Sequence, residues 1–189
     1  MVDAAFELVR EEGWSRVSAR SIARKLGSST MPIYSHFRSL DSIEEQIRVR
    51  ARELQKQYQK RKYTGHTLLD LAVGYIVFAR DEKNLFRFLY LERPEYIRPE
   101  DMPRMRESFL SEFGEHSEEV TSLGELHADS QQELMQYTWV FTHGLATLVN
   151  SGALSACSDE MLKQMLMDAG AAFYLWTTSK GEDNVDTNE

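Results

Sequence analysis

Between Arg16 and Arg38 the chain gathers side chains suited to reading a polyanion in chemical detail. Thr30, Tyr34 and Ser35 offer hydroxyls, His36 offers a ring N–H, and Met31 and Pro32 suit the methyl group of thymine. Arg20 carries the fork that pairs with O6 and N7 of guanine, a contact worth about 1–3 kcal/mol of discrimination. Arg16 and Arg38 are placed to hold phosphates, helped by the N–H groups at two helix starts where Ser18 and Ser29 stand as caps.

Two short helices are needed to present these groups. Residues 19–26 carry Ala19, Ile22, Ala23 and Leu26 at helical spacing, a stripe to bury, with Gly27 to end the helix. After Gly27-Ser28-Ser29 a second helix is predicted over 30–37, where Pro32 falls in the first turn and its missing N–H costs little. This is the spacing of a DNA-binding helix-turn-helix, whose second helix enters the major groove while the first crosses the backbone. Packed helical pairs that never meet DNA share the outline, so the pattern alone leaves both readings open.

The charge distribution bears on the choice. The 189 residues carry a net charge of -8, which taken alone argues against a polyanionic partner. Residues 1–62, however, hold 13 Lys and Arg against 8 Asp and Glu, a net of +5, and the remainder holds 9 against 22, a net of -13. A basic third joined to an acidic remainder directs only the first part toward nucleic acid; the bland alternative is an uneven, solvated surface. Apolar residues at 42%, charged residues at 28%, 10 Gly and 4 Pro exclude collagen-like, low-complexity and wholly disordered chains. Cys157 is the single cysteine, so neither an intramolecular disulfide nor a Cys-based zinc site is expected. No charged-then-apolar leader opens the chain, and Asp70 breaks the longest apolar run, Leu68 to Ala79. The expectation is a cytoplasmic protein with no membrane contact.

Almost every other segment also reads as helix, and the predicted class is all-α. The first helix runs to about Glu12, with Ala5, Phe6 and Val9 on one face and Gly13 as its stop. A long one spans about 41–63, with Ile43, Ile47, Leu54 and Tyr58 inward and Arg48, Arg50, Arg52 and Lys56 outward; Thr64-Gly65 forms a joint. Helices follow over 66–79 and 82–91, then a proline-bearing loop over 93–103, a helix over 104–113 and a polar stretch, 114–130, of unassigned state. Helices at 131–151 and 158–178 close the fold. The first is apolar nearly all round and must be covered on more than one side. The second presents Met161, Leu162, Met165, Leu166, Ala169, Ala172, Phe173 and Trp176, and its Ala169-Gly170-Ala171-Ala172 run lets another helix come close. Three parts result: a DNA-binding domain at 1–48, a helical domain at 49–180 and a disordered tail at 181–189.

Ala4-Ala5-Phe6-Glu7-Leu8, Gly13-Trp14, Ser18-Ala19-Arg20-Ser21-Ile22-Ala23, Leu26-Gly27 and above all Ile33-Tyr34-Ser35-His36-Phe37 resemble the N-terminal domain of TetR/AcrR transcriptional regulators. The resemblance covers about residues 2–48. It implies DNA contacts for Tyr34 and His36, a packing role for Phe37 and the family's first-turn arginine role for Arg20. Two features depart from the family's pattern. Leu40 stands where the family usually has a phosphate-binding lysine, so that contact is absent or moved to Arg38. The chain also begins where the family's first helix is already under way; with no basic arm for the minor groove, weaker or more salt-sensitive binding is expected.

A second resemblance starts at Trp139-Val140-Phe141-Thr142-His143-Gly144-Leu145 and ends at Gly152-Ala153-Leu154, similar to the Trp…His-Gly motif of one TetR-type C-terminal domain. It implies a homodimer built from the last two helices of each chain and an unknown small-molecule ligand whose binding shifts the spacing of the DNA-binding domains. Phe78, Phe86, Tyr90, Met102, Met105, Phe109, Met135, Trp139 and His143 are the candidate ligand contacts, with plain core the competing role for each.

Catalysis finds little support. The histidines at 36, 66, 116, 127 and 143 show no metal-binding spacing, and there is no Gly-rich phosphate loop or G-x-S-x-G elbow. No catalytic residue, metal or cofactor is expected. The reading is a sequence-specific DNA-binding regulator, a repressor released by a small molecule, with a double-stranded operator and a second copy of itself as partners. The alternative is a helical dimeric small-molecule-binding or protein-interaction module without DNA binding.

Overall fold

The computed structural model describes residues 1–31, 40–94, 102–113 and 118–183. All regular elements among them are helical. They are α1 (Val2–Glu12), α2 (Ala19–Leu26), α3 (Leu40–Gln59), α4 (Thr67–Asp81), α5 (Lys83–Arg87), a π-helical turn (Phe88–Glu92), α6 (Met102–Phe113), α7 (Glu118–Gly124), α8 (Ala128–Ser151) and α9 (Asp159–Asp183). The chain forms two compact units, one from Met1–Tyr58 with Val77–Glu95 and the other from Gln59–Ile76 with Tyr96–Glu189. The sequence division after residue 48 therefore falls inside α3, which runs unbroken through it.

In the first unit α1 buries Ala5, Phe6 and Val9 and stops at Gly13, whose φ of 87° turns the chain while its N–H still bonds the Val9 carbonyl. After a 3₁₀ turn at Trp14–Arg16, Ser18 opens α2 with a reciprocal cap. Its Oγ accepts the Ser21 N–H at 3.1 Å and its own N–H donates to Ser21 Oγ at 2.8 Å. At the other end Gly27, φ 63°, donates to the Arg24 carbonyl and Ser28 N–H to that of Ala23, the Schellman arrangement. Ile22 and Ala23 are buried as the stripe predicts. Leu26 is not: it belongs to the final turn, where the chain reverses, and stays 42% exposed. At Arg48 it is an outward expectation that reverses. Its guanidinium is buried 5.2 Å from the Phe88 ring centroid and donates to Glu44 at 3.1 Å, so the cation has a carboxylate and a π face in place of water.

The first unit turns on one buried carboxylate. Glu82, between α4 and α5, is only 5% exposed and takes two hydrogen bonds from the Arg10 guanidinium, Nε at 2.7 Å and Nη2 at 2.6 Å. The Tyr58 hydroxyl of α3 donates to it at 3.3 Å, and Asn84 Nδ2 donates to the Arg10 carbonyl at 2.9 Å. These hydrogen bonds to Glu82 hold the Arg10 guanidinium more firmly protonated than usual. The segment predicted as one helix over 82–91 is split into α5 and the π turn, which packs Phe88 against Trp14 at 5.1 Å.

In the second unit Asp70, fully buried in the first turn of α4, fastens the predicted joint. Its Oδ1 accepts from the N–H of Tyr63 at 3.0 Å, the N–H of Thr64 at 2.6 Å and Thr64 Oγ1 at 2.8 Å. The polar stretch left unassigned supplies α7, whose Glu119 accepts the Leu68 N–H at 3.1 Å, and the first turn of α8. Helix α6 begins at Met102, earlier than expected, because Pro103 fits a first turn. Helices α8 and α9 form a hairpin around Tyr137, Phe141, Phe173 and Trp176, with ring centroids 5.1–6.1 Å apart. Leu162 and Leu166 are buried, whereas Met161, Met165 and Trp176, assigned to the same stripe, are exposed: a single neighbouring helix covers a narrower arc than this helix offers. Helix α9 continues to Asp183, so residues 181–183 of the expected tail are helical.

His143 of α8 is half-buried, with Nδ1 2.9 Å from the Tyr75 hydroxyl and the Trp139 ring stacked on it at 5.4 Å. Burial holds its pKa below the ordinary imidazole value.

Two predictions follow from these contacts. Arg10→Ala strands a buried charge and costs about 3 kcal/mol. Glu82→Gln leaves a half-exposed guanidinium that can turn to water, and costs about 1.5 kcal/mol. Urea denaturation at one fixed protein concentration reads both, and a larger loss for Glu82→Gln contradicts the assignment. For His143, the unfolded chain binds the proton more readily than the folded one, so its stabilising contribution is present above about pH 6.5 and is lost as pH falls toward the lowered folded pKa. The wild-type Tm should drop more steeply than that of His143→Gln between pH 7 and pH 5; parallel curves would count against it.

Candidate nucleic-acid interface

The basic residues of the first unit divide into paired and unpaired sets. Arg10 is committed to Glu82, Lys25 to Glu11 at 2.6 Å, and Arg50 to Asp3 while lying over the Phe6 ring. Arg16, Arg20 and Arg24 form no ion pair with any described residue, and all three are exposed. They follow one another at four-residue steps from the 3₁₀ turn into α2. With Glu12, Ser15 and Ser18 they line an open basin of about 290 Å³. The capped N-terminus of α2 adds its partial positive charge to the same place. A concave, solvated surface lined by three guanidiniums that form no ion pair among the described residues is what a phosphate backbone requires.

The structure brings Arg16, Ser18 and Arg20 to one basin. Ser18 is exposed although its hydroxyl serves the cap. Ser29 is exposed, Thr30 half-buried and Met31 74% exposed. Pro32, Tyr34, Ser35, His36, Phe37 and Arg38 lie outside the described residues. Leu40 begins α3. Sequence reasoning passed over Arg24 and Glu12; the four-residue step from Arg20 marks Arg24, but only folding of α1 against α2 brings Glu12 to the basin.

The candidate ligand contacts separate between the two units. Phe78 and Phe86 are completely buried in the first, against Tyr58 at 5.7 Å and Tyr90 at 5.1 Å respectively, and the Tyr90 hydroxyl donates to Gln55. Phe109, Met135 and His143 are partly exposed in the second unit, and Trp139 is 37% exposed there. Met102 and Met105 lie on α6, their side chains outside the described set. Among the described residues no group of three His, Cys, Asp or Glu side chains is placed to hold a metal ion, and no helix is long and apolar enough to cross a membrane.

Comparison with known proteins agrees with this geometry. Residues 1–46 match the family model for bacterial regulatory proteins of the tetR family. Residues 68–169 match that for the tetracyclin repressor-like C-terminal domain. Over 97% of its length the chain is 25% identical to an uncharacterized HTH-type transcriptional regulator of Haemophilus influenzae, covering 88% of that protein. The helix-turn-helix spacing, the arginine row running from the 3₁₀ turn into α2, without an ion pair among the described residues, and the two family matches lead to one conclusion: the chain belongs to the TetR family and is a DNA-binding transcriptional regulator.

Proposed function

We propose that this regulator is a homodimeric repressor, acting in the cytoplasm by binding alone, that leaves its operator when a small molecule occupies the second unit. The observation that carries the DNA part is the row Arg16, Arg20 and Arg24, exposed and without an ion pair among the described residues, beside a capped helix start. In this reading Arg16, Ser18, Ser29 and Arg38 hold phosphates, Arg20 reads guanine, and Thr30, Met31, Pro32, Tyr34, Ser35 and His36 supply the groove-facing surface. Two such heads one helical turn apart, or a multiple of it, would face a near-palindromic site.

The last two helices supply the dimer surface. Val140, Gly144 and Leu148 recur at four-residue steps on α8, with Val140 54% and Leu148 47% exposed. Helix α9 adds Met161, Met165, Leu175 and Trp176, all exposed, and the small run Ala169–Ala172. Apolar surface of this extent on a paired hairpin fits a four-helix bundle with a second copy. In this reading the ligand binds beside Trp139 and His143, and the stacked indole and imidazole meeting the Tyr75 hydroxyl support that position. Control then needs only a ligand that favours the dimer conformation in which the two heads no longer match the operator.

Gel shift with the DNA flanking its own gene tests the first part. Binding should weaken steeply with salt and disappear in the Arg20→Ala, Tyr34→Ala double variant. Retained small-molecule binding with no DNA affinity at low salt would instead establish a ligand-binding module. Sedimentation tests the second part: Leu148→Glu with Met165→Glu should convert the dimer to a folded monomer, and a dimer that survives both charges rules out this surface.

A further inference from the structure

Three guanidiniums share the basin beside α2, and only two of them have a role in the reading above. Arg24 lies one turn beyond Arg20 on α2, about 6 Å along the helix axis, and Arg16 joins them from the end of the preceding 3₁₀ turn. Lys25, its neighbour, does not line the basin and is held by Glu11 at 2.6 Å. Arg24 instead lines the basin with Arg16 and Arg20. Into the same basin comes Glu12, from the last turn of α1, where the carbonyl end of the helix adds to its negative potential. Glu12 closes on none of the three arginines: no ion pair joins them among the described residues.

We propose that Arg24 is a third backbone-holding cation of α2 and that Glu12 is the counter-charge limiting the grip of the whole row. The inference rests on the reading of α2 as the helix that crosses the DNA backbone. A carboxylate that bonded one arginine would remove that arginine from the interface. One that lines the same basin without bonding any lowers the potential around the row and leaves each side chain available to a phosphate. Phosphate contacts are blind to sequence, so Glu12 weakens attachment to every duplex, operator or not. The excess of ordinary DNA then holds less of the protein, and occupancy of the operator depends more on Arg20 and the groove-facing side chains.

The test uses the full chain and a random-sequence duplex of about 30 base pairs, with binding followed by fluorescence anisotropy between about 50 and 200 mM salt. Arg24→Ala should weaken binding several-fold at low salt and reduce the slope of log affinity against log salt by about 0.9, while Arg24→Lys keeps the slope. Glu12→Gln should raise affinity roughly two- to fivefold at low salt with the slope unchanged. Circular dichroism melts confirm that these exposed positions leave the fold intact. If Arg24→Ala keeps the wild-type slope while Arg16→Ala lowers it, the inference is overturned and the reading of α2 stands. If neither lowers it, both are overturned. A Glu12→Gln variant that binds no more tightly than wild type removes the counter-charge role.

Discussion

A carboxylate taken out of water must find a cation, and Glu82 finds Arg10. That requirement organises the first unit. The bidentate geometry fixes Arg10 in direction as well as distance, so α1 has one rotation about its axis that satisfies it. Tyr58 brings α3 to the same oxygen, and Asn84 ties the start of α5 to the backbone of α1. Residues 72 positions apart in the chain are thereby held in register. The turn at Gly13 and the start of α2 follow from where α1 ends, so the arginine row inherits its placement from a contact with no charge to spare for DNA.

The second unit meets a different constraint, an excess of apolar surface. Helix α8 is apolar nearly all round, and α9 covers one side of it through Tyr137, Phe141, Phe173 and Trp176. Val140, Leu148, Met161 and Leu175 remain in contact with water. The hairpin is thus more apolar than its own fold needs, and a second copy is the covering that the proposed function supplies.

Much of this was legible in the sequence because local rules act over a few residues. Ser18 and Ser21, Gly27 with Ser28, and the spacing of Ile22 and Ala23 each determine α2 without reference to the rest of the chain. The failures share one cause: they depend on contacts distant in sequence. Arg48 reads as a surface cation until Phe88, forty residues on, arrives to cover it. Nothing in the residues beside Glu82 marks it for burial, yet it is the buried partner of Arg10. Phe78 and Phe86 have the chemistry of ligand contacts, and only the arrival of Tyr58 and Tyr90 seats them in a closed core. Met161 and Leu162 are equally apolar, and which of them is buried depends on the breadth of the neighbouring helix. The basin itself was half visible: the arginine spacing lies in the sequence, and Glu12 enters through tertiary packing.

The same accounting explains why a single head should hold DNA weakly. Residues 63–189 carry a net charge of -13 and repel a phosphate backbone, so attraction falls to the basic third. There Arg10, Lys25 and Arg50 are already committed to Glu82, Glu11 and Asp3. Those three are lost to DNA, and by the inference above Glu12 tempers the arginines that line the basin beside α2. In the proposed dimer, tight binding must come from two heads engaging one duplex, where the second contact is favoured by the high effective concentration the first creates. That gain exists only while both heads fit the groove spacing together. A small change in their separation therefore removes most of the affinity without disturbing a single side chain at either head, which is the kind of sensitivity a ligand-controlled repressor needs.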